Sequence, residues 1–160
     1  MYAIALIESA VRRRINQSRV AHLATAGEGS QPSLVPICFV LIGSTVYHAL
    51  DGKPKRADVM SLSRVRNLRA NPKAVVLVDH YQEDWEGLWW ISLVGQARVL
   101  TEGTELRRAL TGLRRKYPQY RDGWPLDPGA PVIALDVRRL RHWQSSSPGR
   151  RPADRPGPGA

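Results

Sequence analysis

The sequence predicts a mainly β chain of the α+β class, an antiparallel barrel, closed or partly closed, with helices packed outside it. Three observations point there. Six short apolar segments recur along the 160 residues, most of them joined by hairpin-length loops. Three further segments carry apolar residues at helical spacing, but they interrupt the strands at irregular intervals. A doubly wound sheet needs strand and helix to alternate throughout, and this order does not supply that. The length suits a single domain with a sizeable core.

Residues 3–16 read as a helix, because Ile4, Ile7, Val11 and Ile15 recur at spacings of three and four and share one face. The first strand, 19–25, ends in the Gly- and Pro-rich turn AGEGSQP. The apolar run 33–42 is a second strand. Its Pro36 has no N–H to donate, which places the strand at an edge or at a bulge. Gly43-Ser44 turns into a third strand, 45–50, and the three together read as an antiparallel meander. A helix is expected from about Ala57 to Ala70, with Val59, Leu62, Val65 and Leu68 along it, closed by Asn71-Pro72. The strand 74–79 is apolar throughout and is expected to be covered on both sides. The segment 88–100 is a long strand whose Gly95 marks a bulge. Residues 102–117 read as the third helix. A sixth strand, 131–143, sets Val132, Ala134 and Asp136 on one face and Ile133, Leu135 and Val137 on the other.

Domain organisation follows from composition. Residues 1–143 form the folded unit. Residues 144–160, QSSSPGRRPADRPGPGA, hold four prolines, three glycines and almost nothing apolar, so they are expected to be disordered. No apolar run approaches the roughly 20 residues of a membrane helix, and the N-terminus does not read as a signal peptide. The single Cys38 cannot form an internal disulfide, and it lies in an apolar strand, where a free thiol behaves as a small buried hydrophobe. A cytoplasmic location is the expectation. His22, His48, His80 and His142 are dispersed without metal-ligand spacing, so no metal site is expected. Phosphate-binding, dinucleotide-binding and zinc-protease signatures are absent.

The formal net charge of +10 favours anionic partners. Arginine outnumbers lysine 20 to 4, a bias that by itself says little about function. The clustering says more. From Lys53 to Lys73 seven cations face one acid, Asp58, and three of them (Lys53, Lys55 and Arg56) crowd a turn that ends a strand where a helix is expected to begin. Backbone N–H groups at such a place, joined by basic side chains, suit a phosphate; a solvated basic surface is the competing reading. The aromatic residues are not interleaved with this cluster, which argues against nucleic acid as the partner. A second feature is Trp89-Trp90. On a strand the two rings point to opposite faces, and one chain's core covers one face, so a dimer partner or a flat ring ligand would cover the other; cover of both by the core and a loop of one chain is the competing reading.

The stretches RVAHLATAGEGSQPSLVPICFVLIGSTVYHALDGKPKR, RNLRANPKAVVLVDHY and LWWISLVGQARVL, in this order across about residues 15–143, resemble the pyridoxamine-5′-phosphate-oxidase-like split-barrel superfamily. The similarity is strongest to its branch of deazaflavin (coenzyme F420)-dependent oxidoreductases. The resemblance implies a six-stranded split β-barrel and a homodimer with cofactor sites at the interface. It implies a phosphate on Lys53, Lys55 and Arg56, with Asn67 a further contact. It sets the flat ring against Leu23, Ala24, Thr25, Val35, Pro36, Ala49 and Leu50, and has the partner chain add Leu88, Trp89 and Trp90. The implied activity is hydride transfer from reduced F420 to an electron-poor small-molecule substrate. FMN in the same site, or a cofactor-binding protein without turnover, are the alternatives. The sequence departs from true pyridoxamine-phosphate oxidases, whose Arg-x-x-Leu-Leu-Lys strand and C-terminal substrate segment it lacks, so vitamin salvage is not the expected activity. Haem-degrading relatives use a histidine iron ligand that is not matched here.

Overall fold

A computed structural model describes residues 8–51 and 58–145. Helix α1 (Ser9–Gln17) leads into β1 (Ala21–Ala26), β2 (Pro32–Ile37), β3 (Val40–Ile42) and β4 (Thr45–Ala49). A 3-10 turn, Val59–Ser61, precedes α2 (Ser63–Ala70). Then follow β5 (Lys73–His80), β6 (Trp89–Leu100), α3 (Gly103–Lys116) and β7 (Val132–Gln144). All seven strands join one antiparallel sheet in the order β2-β1-β5-β6-β7-β4-β3.

The expected six strands are seven because the apolar run 33–42 is two strands rather than one. β2 pairs with β1 at one edge of the sheet, and β3 pairs with β4 at the other. The expected three-stranded meander is therefore two separate hairpins. This split also curls the sheet. Laid flat, seven strands would hold their outer edges roughly 29 Å apart at 4.8 Å per strand. Yet Ile37 and Val40 are joined through Cys38 and Phe39 alone, a reach of roughly 10 Å at most. The edges must therefore meet at that corner, and the sheet wraps into a split barrel.

The corner is locked from α3. Phe39 is fully buried, and its N–H donates to Tyr117 Oη at 3.0 Å. The same hydroxyl lies 2.9 Å from the Arg19 carbonyl and 3.1 Å from the Phe39 carbonyl, either of which accepts its proton. Burial holds the Tyr117 hydroxyl up at about 12. Cys38 thus sits in a corner and half-buried, instead of inside a strand.

Two cores result. The first fills the barrel with Leu23, Ile37, Phe39, Val46, Val76, Ile91, Leu93 and Leu135, closed by Val11 and Ile15 of α1 and Val65 and Leu68 of α2. The second lies on the other face of β4 and β7, where Tyr47, Ala49, Val132 and Ala134 meet Leu106, Ala109, Leu110 and Leu113 of α3. The expected alternation in β7 is what lets it serve both. Its Ile133, Leu135 and Val137 enter the first core, and Val132 and Ala134 the second.

Gly95 marks the expected bulge. The β6–β7 register shifts between Val94 and Gly95, and a Cβ on Gly95 would fall 2.0 Å from the Asp136 carbonyl oxygen. Two other expectations change. β5 is covered on one side only, for Ala74, Val76 and Val78 are buried while Leu77 stays exposed. The second helix, expected from about Ala57, a residue outside those described, is not continuous through Leu62. Leu62 has ψ 141°, which breaks the chain between the 3-10 turn and α2, so α2 starts at Ser63.

Candidate functional site

The strands β2, β1, β5 and the first half of β6 present an outer face that no second core covers. Register places its side chains in rows. Leu34, Ala24, Val75 and Val94 form one row, Pro36, His22, Leu77 and Ser92 the next, and Asp79, Trp90 and Trp143 a third. Leu34 is 67% exposed, Leu77 36% and Trp143 44%. The apolar side chains share this face with His22, Ser92 and Asp79, and the first two rows run on to the exposed Arg139 and Arg141 of β7, which makes it a mixed surface and a candidate interaction site. His22 and Asp79 meet on it, Nδ1 to Oδ1 3.5 Å.

Trp89 and Trp90 take opposite faces as the strand requires. Trp89 packs against the first core, with the His80 ring stacked at 5.9 Å and the Arg14 guanidinium 5.4 Å from its centroid. Trp90 stands on the open face beside Trp143. Leu88 precedes β6, half-buried, and its carbonyl accepts from Ser145 N.

The other candidate residues divide between the faces. Ala24 and Pro36 lie on the open face. Leu23 and Leu50 are buried in the first core, which Val35 also packs against, and Ala49 is buried in the second, so these side chains are walls and not contact surface. Thr25 is buried and accepts from Asn67 Nδ2 at 3.1 Å. Asn67 is held from a second side, since a Cβ on Gly27 would come within 2.8 Å of its Oδ1. Asn67 therefore ties α2 to the end of β1. Lys53, Lys55 and Arg56 lie outside the described residues. Of three side chains with a transferable proton, Tyr47 is buried and donates to Glu105 at 2.9 Å, His80 pairs with Gln82, and Tyr81 is exposed.

A polar cluster that the sequence reading missed lies at the end of β4, just before residue 52. His48 is wholly buried. Its Nδ1–H donates to the Cys38 carbonyl at 3.0 Å, which leaves Nε2 with its lone pair and no partner among the described residues. Burial, then the charge of Arg64, pushes His48 down to about 4. Arg64 Nε is also buried and has no partner among the described residues, and burial lowers the guanidinium while Asp51 opposes that. Tyr120 Oη reaches Asp51 Oδ2 at 3.4 Å. The signal in the sequence was Arg64 at the start of α2, hidden because the helix is expected about six residues earlier.

Beside this cluster a pocket of about 520 Å³ is walled by Leu50, Asp51, Val59 and the loop 123–131, including the exposed Trp124. Arg114 Nη2 donates to the Leu126 carbonyl at 3.0 Å, and Gly129 N to Asp127 Oδ1 at 2.7 Å, so this loop has a defined shape. Among the described residues no group of three His, Cys, Asp or Glu could hold a metal, and no helix is long and apolar enough to cross a membrane.

A curled antiparallel sheet with an open face and flanking helices defines a split-barrel protein. The chain belongs to the pyridoxamine 5′-phosphate oxidase family, whose model matches residues 7–144. Solved structures share the fold. A conserved hypothetical protein of Mycobacterium tuberculosis superimposes with a TM-score of 0.67 at 20% identity, covering 90% of this chain and 89% of that one. A FAD-binding protein of Mesorhizobium loti gives 0.63 at 17%, with 88% and 96% covered. A haem storage protein of Vibrio cholerae gives 0.65 at 13%, with 86% and 94% covered. No curated protein matches the sequence.

Proposed function

We propose that the chain is an oxidoreductase that binds reduced deazaflavin, coenzyme F420, and passes hydride to an electron-poor small-molecule substrate. The observation that carries this reading is the pair of buried polar atoms, Arg64 Nε and His48 Nε2, without partners among the described residues at the end of β4 that leads into the basic segment, with the open face of β1, β2 and β5 as a separate surface for a ring. The residues fit such a group. Ala24 and Pro36 are small and flat enough for a ring to approach. The unpartnered Arg64 Nε and His48 Nε2 lie at the strand end, where the Lys53, Lys55 and Arg56 segment begins. A charge-assisted contact there would supply the acceptor that Arg64 lacks.

When bound, the cofactor supplies the hydride chemistry. The protein's own residues bind, orient and exclude water. Lys53, Lys55 and Arg56 neutralise the phosphate. Asn67 and Thr25 fix α2 against β1 and so set the distance between that anchor and the platform. A second copy, docked on the open face, brings its Leu88 and Trp90 over the ring and closes the site as a homodimer. Trp124 and its loop wall the pocket beside Asp51.

The test is a fluorescence titration of cofactor-free protein with F420 and, in parallel, FMN. Micromolar binding of F420 with much weaker FMN supports the reading, and Lys55→Ala should weaken it by about 1.5–3 kcal/mol. Preference for FMN would change the cofactor and keep the site. Tight binding without turnover on any acceptor would make the chain a cofactor-binding protein, and binding of neither would overturn the assignment.

A further inference from the structure

A second cavity, about 610 Å³, lies between α1, β3 and α3 and shares no residue with the candidate cofactor site. Its size is within the range of small-molecule sites. Its floor is apolar, made by Val40, Leu41 and Ile42. Its rim is cationic, made by Arg107, Arg108, Arg115 and Lys116. Among the described residues none of these four cations makes a salt bridge. The nearby carboxylates are already taken. Arg98 grips Glu105 through two bonds of 2.8 Å and also holds Asp136 at 3.1 Å.

Lys116 shows the imbalance most clearly. Its Nζ is buried 3.7 Å from the centroid of the Phe39 ring and has no hydrogen-bond partner among the described residues. Burial, with Arg19 adding to it, lowers this amine to about 8. Arg107, Arg108 and Arg115 stand exposed around the apolar floor, and although Glu105 lies near enough for Arg108 to feel its charge, no salt bridge among the described residues neutralises this rim.

We propose that this cavity binds an amphipathic carboxylate, with an acyl chain laid on Val40 and Ile42 and its head group held by the exposed Arg107, Arg108 and Arg115. Polarity and shape agree only for such a ligand. Inorganic phosphate would leave the floor bare, and an alkylamine would meet the wrong charge.

Isothermal titration of the full chain with octanoate and decanoate, against decylamine and inorganic phosphate, tests this. Decanoate should bind at sub-millimolar concentration, tighter than octanoate by roughly two- to four-fold per added methylene. Decylamine and phosphate should bind at least tenfold more weakly. Arg108→Ala combined with Arg115→Ala should weaken decanoate about tenfold or more, with the circular-dichroism spectrum and F420 titration unchanged. Should that double variant lose its fold, Arg107→Ala, at an exposed rim residue whose guanidinium donates to Thr104 Oγ1, replaces it and should weaken decanoate several-fold. Equal binding of decanoate and decylamine, equal binding of phosphate and decanoate, or variants that bind decanoate like the parent would each overturn the proposal. Because the two sites share no residue, loss of F420 binding alone leaves it standing.

Discussion

The two halves of the sheet are built from the same kinds of residue and meet different fates. In β4 and the first half of β7, both faces are covered, by the barrel core on one side and α3 on the other. In β1, β2 and β5 only the inner face is covered, yet the outer face still carries Leu34, Val75 and Leu77. Apolar residues on a solvated face gain nothing for the isolated chain. Leu34, Leu77 and Trp143 are the exposed large side chains of that half, and they are the ones the proposed second copy would cover.

One substitution, tried on both halves, sharpens that contrast. Leu110→Asp sets a carboxylate in the second core and should cost more than about 4 kcal/mol, enough to unfold the chain. Leu77→Asp should leave the monomer folded, with a melting temperature near that of the parent. It should raise the dimer dissociation constant a hundredfold or more, about 3 kcal/mol, as read by light scattering across a dilution series. A Leu77→Asp protein that remains dimeric would remove the open face from the interface.

His48 offers a test on the closed side of the barrel. Its folded value of about 4 lies below the ordinary 6.5. The unfolded chain therefore binds more protons between those values, and stability must rise with pH across that window. Its contribution is complete above pH 6.5 and is lost as the pH falls through 4, about 3 kcal/mol in all. His48→Gln keeps a donor for the Cys38 carbonyl but cannot gain a proton. Denaturation at pH 7, 5.5 and 4.5 should show a markedly flatter profile for this variant. Bound phosphate near Arg64 should raise the histidine and narrow the window, which would link this buried cluster to the anion site.

Tyr117 tests whether the corner closes the barrel. Tyr117→Phe removes the acceptor for Phe39 N–H and leaves a carbonyl without its donor. A buried unpaired group of this kind costs about 1–3 kcal/mol, measurable by urea denaturation. A loss well below 1 kcal/mol would mean that water can replace the hydroxyl there.

These sites also show what could be read from sequence. Periodicity gave α3, β6 and β7 nearly to the residue, and Gly95 announced its bulge, because those features are local. The break at Cys38-Phe39 was invisible, since nothing in an unbroken apolar run says that its halves pair with opposite edges of a sheet. That decision belongs to β1 and β4, distant in the chain. The family resemblance reached the superfamily and its fold on the order of weak anchors. The open face was only half visible: Trp90 hinted at it, but Leu34, Leu77 and Trp143 join it through register alone. The His48–Arg64 cluster was hidden because both residues looked ordinary until the fold buried them together.

The smallest expected effect lies where α3 is tied to the covered half. Arg98 on β6 bridges Glu105 in the first turn of α3 and Asp136 on β7, while Tyr47 and Thr45 of β4 donate to the same two carboxylates. Arg98 holds Glu105 below the usual carboxylate range, and Glu105 and Asp136 together hold the guanidinium above its own. The guanidinium is partly exposed, so solvent screens much of this. Arg98→Met should therefore cost about 1 kcal/mol, and 1 M salt should shrink the difference from the parent. The depressed Glu105 adds stability above its ordinary range that is lost as the pH falls through its folded value, and the variant should lack that loss. Cofactor binding on the open half should stay unchanged. If it weakened along with stability, the two halves of the sheet would be mechanically coupled through β6, and the covered half would be part of the site and not only its support.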